Sequence, residues 1–306
     1  MFNLKRDLRF PLELESLFSG IEKVDDLAQS LKNKNSFVKS KIDSCGSCLK
    51  KTEAEQLVRE RFISEESGMV VVKEPFSFCG SFQGFGISIT GPVGFEKDVT
   101  LGRSTIIGPA YISEKSNIFD SVLRAAPDEG TFIGKNCNVW DYSEINRSLV
   151  GDQSMIHTCN INDSIVGPFS NFGATSVTPI SVGNCDLLSK DQTMLEWRIV
   201  FANHSNGNRI KILDPTTDEA LPIEATHFGA ISGTGVSCAS GTIIYPGTII
   251  GAGARIVSAF PITGYIQPDQ VCSLFLVITK RKDGTILVRS KGTLVQPLRE
   301  YFASIS

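Results

Sequence analysis

Along residues 1–67 the apolar positions Leu12, Leu14, Leu17, Ile21, Val24, Leu27 and Leu31 recur close to the period of an α-helix, among many Lys, Glu and Ser. Residues 43–47 interrupt the pattern, and Thr52 with Glu55 forms a capping box for a second helix reaching Phe62. Charges of both signs are mixed through this segment, so a solvated helical pair is expected. From about Met69 Val and Ile replace Leu, Gly becomes frequent and the helical spacing ends. A β domain over residues 68–270 is expected to begin there.

Between residues 99 and 264 an aliphatic returns at every sixth position: Leu101 and Ile107, Ile112 and Ile118, Ile133, Val139 and Ile145, Val150 and Ile156, Val166 and Phe172, then Ile244, Ile250 and Ile256. Such a period arises when each short strand points one side chain inward and stacks it on its equivalents in neighbouring coils, because no single repeat can bury that side chain alone. The fold class read from it is mainly β, a parallel solenoid. Three six-residue units make one triangular turn, giving roughly seven turns. Glycine directly follows many of the aliphatics, as in Leu101-Gly102, Ile107-Gly108, Ile133-Gly134, Val150-Gly151, Val166-Gly167, Phe172-Gly173 and Ile250-Gly251. Tight corners, where glycine adopts conformations other residues resist, are the expected reason. A β-sandwich would instead show strict alternation and a turn signal about every 8 to 12 residues.

Two stretches leave the period. Residues 181–225 hold few in-register aliphatics, and 198–202 and 208–213 read as strands paired across the turn signal Asn206-Gly207. This insertion is expected to project from the prism. In residues 271–306, strands at 273–280 and 285–289 flank Asp283-Gly284 as a second hairpin, with a short helix at 297–302, closing an end that would otherwise expose strand edges.

The 33 acidic and 30 basic residues give a net charge of −3, which disfavours nucleic-acid binding by bulk charge. No apolar run approaches the roughly 20 residues that cross a bilayer, and the start of the chain lacks a signal-peptide core. A soluble cytoplasmic protein without membrane or nucleic-acid partners is expected. The eight cysteines are scattered, which suits reduced thiols; Cys45 and Cys48 have redox or zinc half-site spacing but no second pair near them.

Specific chemistry enters at residues 157–178. His157 is followed by Asn162-Asp163, Val166-Gly167 and Asn171-Phe172-Gly173-Ala174, a gap-free succession, with Ser143-Glu144-Ile145-Asn146-Arg147-Ser148 upstream and Ala202-Asn203 through Arg209 downstream. These blocks resemble the acetyltransferase domain of the bifunctional glucosamine-1-phosphate acetyltransferase/N-acetylglucosamine-1-phosphate uridyltransferase family, over residues 99–264. The resemblance implies a left-handed parallel β-helix built of hexapeptide repeats, with a helical segment before it and a hairpin cap after it. It implies acetyl-CoA, or another acyl-CoA, as co-substrate, an amino sugar as acceptor, and no metal for acyl transfer. It also implies a homotrimer in which one apolar face of each prism is covered by a neighbour. Residues 1–67 are too short for that family's nucleotidyltransferase domain and carry no Gly-rich nucleotide loop, so uridyl transfer is not expected.

Residue by residue, the resemblance makes His157 the general base and Asn146, Arg147, Asn160, Asn171, Asn203 and Arg209 the acceptor-binding set, with Arg209 placed to hold a sugar phosphate. Ala174, Ala239 and Ser258 fall where the family lines its coenzyme A groove with small residues. This sequence departs from the pattern in three places: Asn160 stands for a tyrosine, Thr175 for a glycine, and Asn146-Arg147 offers one basic group where two are usual. Three further readings stay open. The helical start, solenoid and closing hairpin also resemble tetrahydrodipicolinate N-succinyltransferase in layout. A solenoid that has lost catalysis could serve as a scaffold or sugar-nucleotide sensor. A zinc site of three histidines would need His157, His204 and His227, which lie 47 and 23 residues apart rather than closely paired.

Overall fold

Every strand of the solenoid is only two to four residues long, and its one inward side chain can be buried only by the coil beneath and the coil above. The computed structural model describes residues 4–21, 24–44, 71–73, 82–85, 87–173, 199–201, 210–214, 217, 219–223, 225, 227–257, 261–273, 276–280 and 286–290. The strands of its coils form three sheets, the faces of a prism, in which neighbouring coils pair in parallel, and a fourth sheet is a separate two-stranded pair. The inward columns are continuous: Ile89, Ile106, Leu123, Ile145 and Ile161 stand in register on one face, and Leu101, Ile118, Val139, Ile156, Phe172, Cys238 and Ile256 on another. These side chains form one buried core. Against the roughly seven turns expected, one face holds eight strands.

The three faces differ in what lies outside them. The first, here the polar face, runs through Val122–Arg124, Glu144–Asn146 and Cys159–Asn162 and carries charged and amide groups. The second, the covered face, runs through Ala110–Ile112, Thr131–Ile133, Leu149–Val150, Ile165–Val166, Ala230–Ser232 and Thr248–Ile250. Its outward column is apolar as well: Tyr111, Phe132, Leu149, Ile165, Ile231 and Ile249 stack in register and are buried. The third, the histidine face, runs through Asn117–Phe119, Asn138–Trp140, Met155–His157, Asn171–Phe172, Ser237–Cys238 and Arg255–Ile256. At its end Gln270–Cys272 pairs antiparallel with Leu276–Lys280, which pairs antiparallel with Ile286–Ser290 across the expected Asp283-Gly284 position.

The described part of the amino-terminal segment is helical and is packed on the solenoid rather than solvated. Helices Leu4–Leu8 and Leu12–Glu15, the short 3-10 turns Ser16–Phe18 and Val24–Leu27, and the 17-residue helix Ala28–Ser44 bring Leu8, Leu14, Leu17, Leu27 and Val38 onto the outward column of the covered face. The face that is apolar on its outside is therefore covered from within the chain, and a neighbouring copy would have to use one of the other two faces. Backbone contacts fix the segment: Thr234 N–H donates to the Leu8 carbonyl at 2.9 Å and Ala252 N–H to that of Asp7 at 2.7 Å. The expected helix at 52–62, the Cys45/Cys48 pair and the helix at 297–302 lie outside the described residues.

Two expectations need correction. Most glycines that follow an aliphatic do not have positive φ. They are required by close approach between coils, since a Cβ at Gly134 would lie 2.5 Å from the Asp152 nitrogen and one at Gly151 2.6 Å from that of Pro168. The left-handed corner residues are mostly others, such as Lys115, Asn136, Gln153 and Phe169. In the insertion, Ile199–Phe201 is not half of a hairpin. It pairs in parallel with Cys159–Asn162 and Ile243–Ile244 as a rung of the polar face. The antiparallel pair is Lys211–Leu213 with Ala220–Pro222, and Ile210, Ile212 and Ile223 are buried in the cluster on the covered face. The apolar side chains at these positions choose that cluster over projection into solvent.

Among the described residues four cysteines are free and buried, and burial pushes the Cys137 thiol up to about 12. No described helix is long and apolar enough to cross a membrane.

Lys34, on the long helix, is 1% exposed and donates from Nζ to the Arg147 carbonyl. Burial pushes its ammonium down from 10.5 to about 8; Asp163 and Glu129 oppose this and Arg147 adds to it. Between these values the unfolded chain holds a proton that the folded protein releases, so stability rises with pH across the window, by about 3 kcal/mol in total. Below pH 8 the charged form weighs against folding in full. Burial of Cys137 and Cys238 works the other way above about pH 9, equally in both proteins, so the difference between them isolates Lys34: from pH 7 to pH 10.5 the urea midpoint of the wild type is expected to gain on that of Lys34→Met, and a constant difference would contradict the buried, charged Lys34.

Candidate active site

Successive coils pass from the histidine face to the polar face through a corner that follows one rule. A single left-handed residue precedes an inward Ser or Cys, as in Arg103-Ser104, Asp120-Ser121 and Thr158-Cys159. The Ser or Cys turns its side chain to the last carbonyl of the strand: Ser121 Oγ to Phe119 at 2.6 Å, Cys159 Sγ to His157 at 3.0 Å. The coil of Trp140 departs. Between Trp140 and Ser143, whose Oγ donates to the Trp140 carbonyl at 2.7 Å, stand two left-handed residues, Asp141 and Tyr142. This corner is one residue longer than its neighbours, and it lies directly beneath His157.

His157 ends the strand Met155–His157 and is in register with Trp140 below it. Its Nδ1 is 3.1 Å from Asp141 Oδ2. An ionised carboxylate only accepts, so in the neutral imidazole this contact puts the hydrogen on Nδ1 and leaves the lone pair on Nε2. The Trp140 ring meets the imidazole edge-on, with centroids 4.7 Å apart and planes at 88°. Ring orientation is thus fixed by a carboxylate and an indole, while the side chain stays about one quarter exposed. The imidazole can take a proton from a group approaching through solvent.

Above His157 the same outward column becomes small. Gly173 follows in the next coil, then Ala239, then the exposed Val257, as the ladder bonds from Gly173 to Cys238, from Ala239 to Ile256 and from Val257 to Cys272 require. Gly173 has φ +85°, and a Cβ there would lie 2.0 Å from the His157 carbonyl oxygen. Asn171 stands over Met155, two positions earlier on the same face, and its Oδ1 is buried without a hydrogen-bond partner. A buried acceptor without a donor costs roughly 1 to 3 kcal/mol.

Round the corner, Asn146 and Asn160 share the polar face with Asn162. Asn146 Nδ2 donates to Asn162 Oδ1 at 2.7 Å and Asn162 Nδ2 to Asn160 Oδ1 at 2.6 Å, with Asn146 Oδ1 buried and unpaired. Arg147 lies at the far end of that strand, towards the covered face, paired to Asp163 at 2.7 and 2.6 Å and to Glu129 at 3.0 Å. Asp163, by its hydrogen bonds, raises the arginine's affinity for its proton. The structure thus groups His157 with Asn171 and Ala239 on one face and Asn146 with Asn160 on the next, while Arg147 belongs to the ionic cluster beneath Lys34. Asn203, Arg209, Ala174 and Ser258 lie outside the described residues, as does His204; Ile210, directly after Arg209, is held at the covered face. Asp141 was not singled out from the sequence. Its signal is there, however: Trp140-Asp141-Tyr142-Ser143 is one residue longer than Phe119-Asp120-Ser121 or His157-Thr158-Cys159.

No family model matches the chain. Over 119 residues it is 32% identical to the bifunctional protein GlmU of Clostridium botulinum, in strain ATCC 19397 / Type A and in strain Langeland / NCTC 10281 / Type F. The match covers 38% of this chain and 21% of each relative, so the chain spans about a fifth of the length of the curated relatives it matches. Among solved structures it is similar to the polySia-specific acetyltransferase NeuO, at 16% identity and a TM-score of 0.38, covering 79% of this chain and 100% of that one. It is also similar to the polysialic acid O-acetyltransferase OatWY, at 11% identity and a TM-score of 0.24, covering 76% and 99%. The GlmU match and the parallel solenoid both fit the resemblance carried by residues 157–178.

Gly173 gives a direct test of the small column. Gly173→Ala must move the His157 carbonyl and adopt a left-handed φ, so it is expected to lower the melting temperature and to disturb the His157 ring resonances together. Unchanged melting and unchanged resonances would contradict the close approach.

Proposed function

We propose that the chain is a coenzyme A-dependent N-acyltransferase that transfers an acetyl group to an amino sugar, with His157 as general base and Asp141 as the residue that positions it. The observation that carries this reading is the His157–Asp141 contact of 3.1 Å beneath a column of small side chains. The GlmU match supports the class of reaction, and its short span leaves the acceptor to be argued from the site.

Acyl transfer asks little covalent work of a protein. A neutral amine attacks the thioester carbonyl, a nitrogen–carbon bond forms, and the carbon–sulfur bond then breaks. The proton lost by nitrogen passes to Nε2 and from there to the departing sulfur. Asp141 favours the tautomer with Nε2 free and stabilises the imidazolium that forms midway. Gly173 and Ala239 leave room above the imidazole for a thin pantetheine arm, which supports acyl-CoA as co-substrate. Arg147 is not included in the acceptor set, because its guanidinium is already held by Asp163 and Glu129.

The test is a thiol-release assay with acetyl- and succinyl-CoA against a panel of amino sugars. Turnover with acetyl-CoA is expected. In His157→Asn it should fall roughly 10²- to 10⁴-fold, the scale of a lost general base, with acyl-CoA binding little changed. Asp141→Ala, which frees the ring without removing it, should cost roughly tenfold in kcat. Wild-type turnover in His157→Asn would defeat the mechanism. Turnover with succinyl-CoA alone would favour the succinyltransferase reading, and none with either donor would favour a scaffold.

A further inference from the structure

The extra corner residue that delivers Asp141 to His157 has a second product, which is Tyr142. Asp141 and Tyr142 have φ of 55° and 62°, two consecutive left-handed residues, whereas the corners at Arg103, Asp120 and Thr158 use one. Left-handed φ is routine at the corners of this solenoid, Phe169 at 58° included, and what sets Tyr142 apart is its place in the corner that carries Asp141 to His157. Tyr142 is also among the large hydrophobic side chains left exposed, at 55%. The corner is held from below by the Tyr142 N–H, which donates to the Asp120 carbonyl at 2.8 Å, and from within by Ser143, so the ring is presented from a fixed backbone.

Its surroundings are acidic. The Asp141 carboxylate next to it is 59% exposed. Nearby cations are already engaged, Arg103 by Asp120 at 2.5 and 2.6 Å and Arg124 by Glu144 at 3.7 Å. A rigid aromatic face beside an exposed carboxylate suits a ligand with an apolar ring face and a positive charge.

We propose that Tyr142 is the platform on which the acceptor's pyranose ring lies, so that the ring is read by stacking and its ammonium, before it loses a proton, by Asp141 and the aromatic face. The assignment rests on the acyltransferase reading and names the part of the acceptor that this corner recognises: a six-membered sugar ring bearing an amine. It makes Tyr142 a specificity-determining residue, one that selects ring-bearing amines over open-chain ones.

The test separates ring binding from catalysis. Saturation-transfer NMR is recorded on the full chain with glucosamine, and with 2-aminopropane-1,3-diol as an amine that has hydroxyls and no ring. Glucosamine ring protons should be saturated and those of the open-chain amine should not. Tyr142→Phe should bind glucosamine as the wild type does, and Tyr142→Ser should bind it about tenfold more weakly, a change of about 1.4 kcal/mol. Tyr142→Gly serves as the folding control, because glycine tolerates the left-handed φ: it should melt no lower than the wild type and still lose the binding. Wild-type glucosamine binding in a folded Tyr142→Gly would overturn the proposal, as would equal saturation of the two amines. If the binding pattern holds but no acyl donor releases thiol, the transferase reading fails and the platform stands. If turnover is robust and indifferent to Tyr142→Ser, the platform fails and the transferase reading stands.

Discussion

Stacking in register is the constraint on which the rest of this structure depends. An inward Ile or Val can be dry only if the coils above and below place their own aliphatics over it, as Leu123, Ile145 and Ile161 do along the polar face. Once the inward columns are aligned, the outward columns are aligned too, because side chains alternate along each strand. Position on the surface therefore follows from position in the repeat. That is why Trp140 stands under His157 and Gly173 over it, although 17 and 16 residues separate them in the chain. A change of one residue within a coil has to be absorbed at a corner, and one of the corners that absorb it holds Asp141.

The outward columns divide the prism by chemistry. On the covered face the column from Tyr111 to Ile249 is as apolar as the core, and the chain's own helices dry it. Lys34 and Arg147 sit where those helices meet the solenoid, in an ionic cluster with Asp163 and Glu129, so the cation that follows Asn146 serves the joint between segments. The opposite corner, between the histidine and polar faces, is left to solvent. There the groups that reach solvent are a histidine, a carboxylate and a tyrosine, which are groups suited to moving a proton and recognising a polar ring.

Much of the fold was legible because a period of six is a direct image of inward stacking. Ile133, Val139, Ile145, Val150 and Ile156 could be placed on their faces from spacing alone. Other features required a partner that a sequence does not display. Leu14, Leu17 and Leu27 announced a helix but not the apolar column they cover. Asn206-Gly207 read as a hairpin, yet Ile199–Phe201 found a better partner in the solenoid, where both its edges are paired. The glycines after each aliphatic were legible as a pattern whose cause, lateral clearance between coils, only the distances reveal. At the site, His157 and Asn171 stood out through resemblance, and Asp141 did not, because a one-residue insertion is visible only once the inward Ser and Cys of successive corners are set beside one another.

The central claim is that this insertion puts a carboxylate on His157 Nδ1 and leaves Nε2 able to take a proton. With three histidines in the chain, the imidazole nitrogens of His157 can be assigned by ¹⁵N NMR in the neutral state and compared with Asp141→Ala. The account predicts a protonated Nδ1 and a bare Nε2 in the wild type, with that preference weakened in the variant. A wild-type His157 carrying its hydrogen on Nε2, or a tautomer indifferent to loss of Asp141, would contradict it.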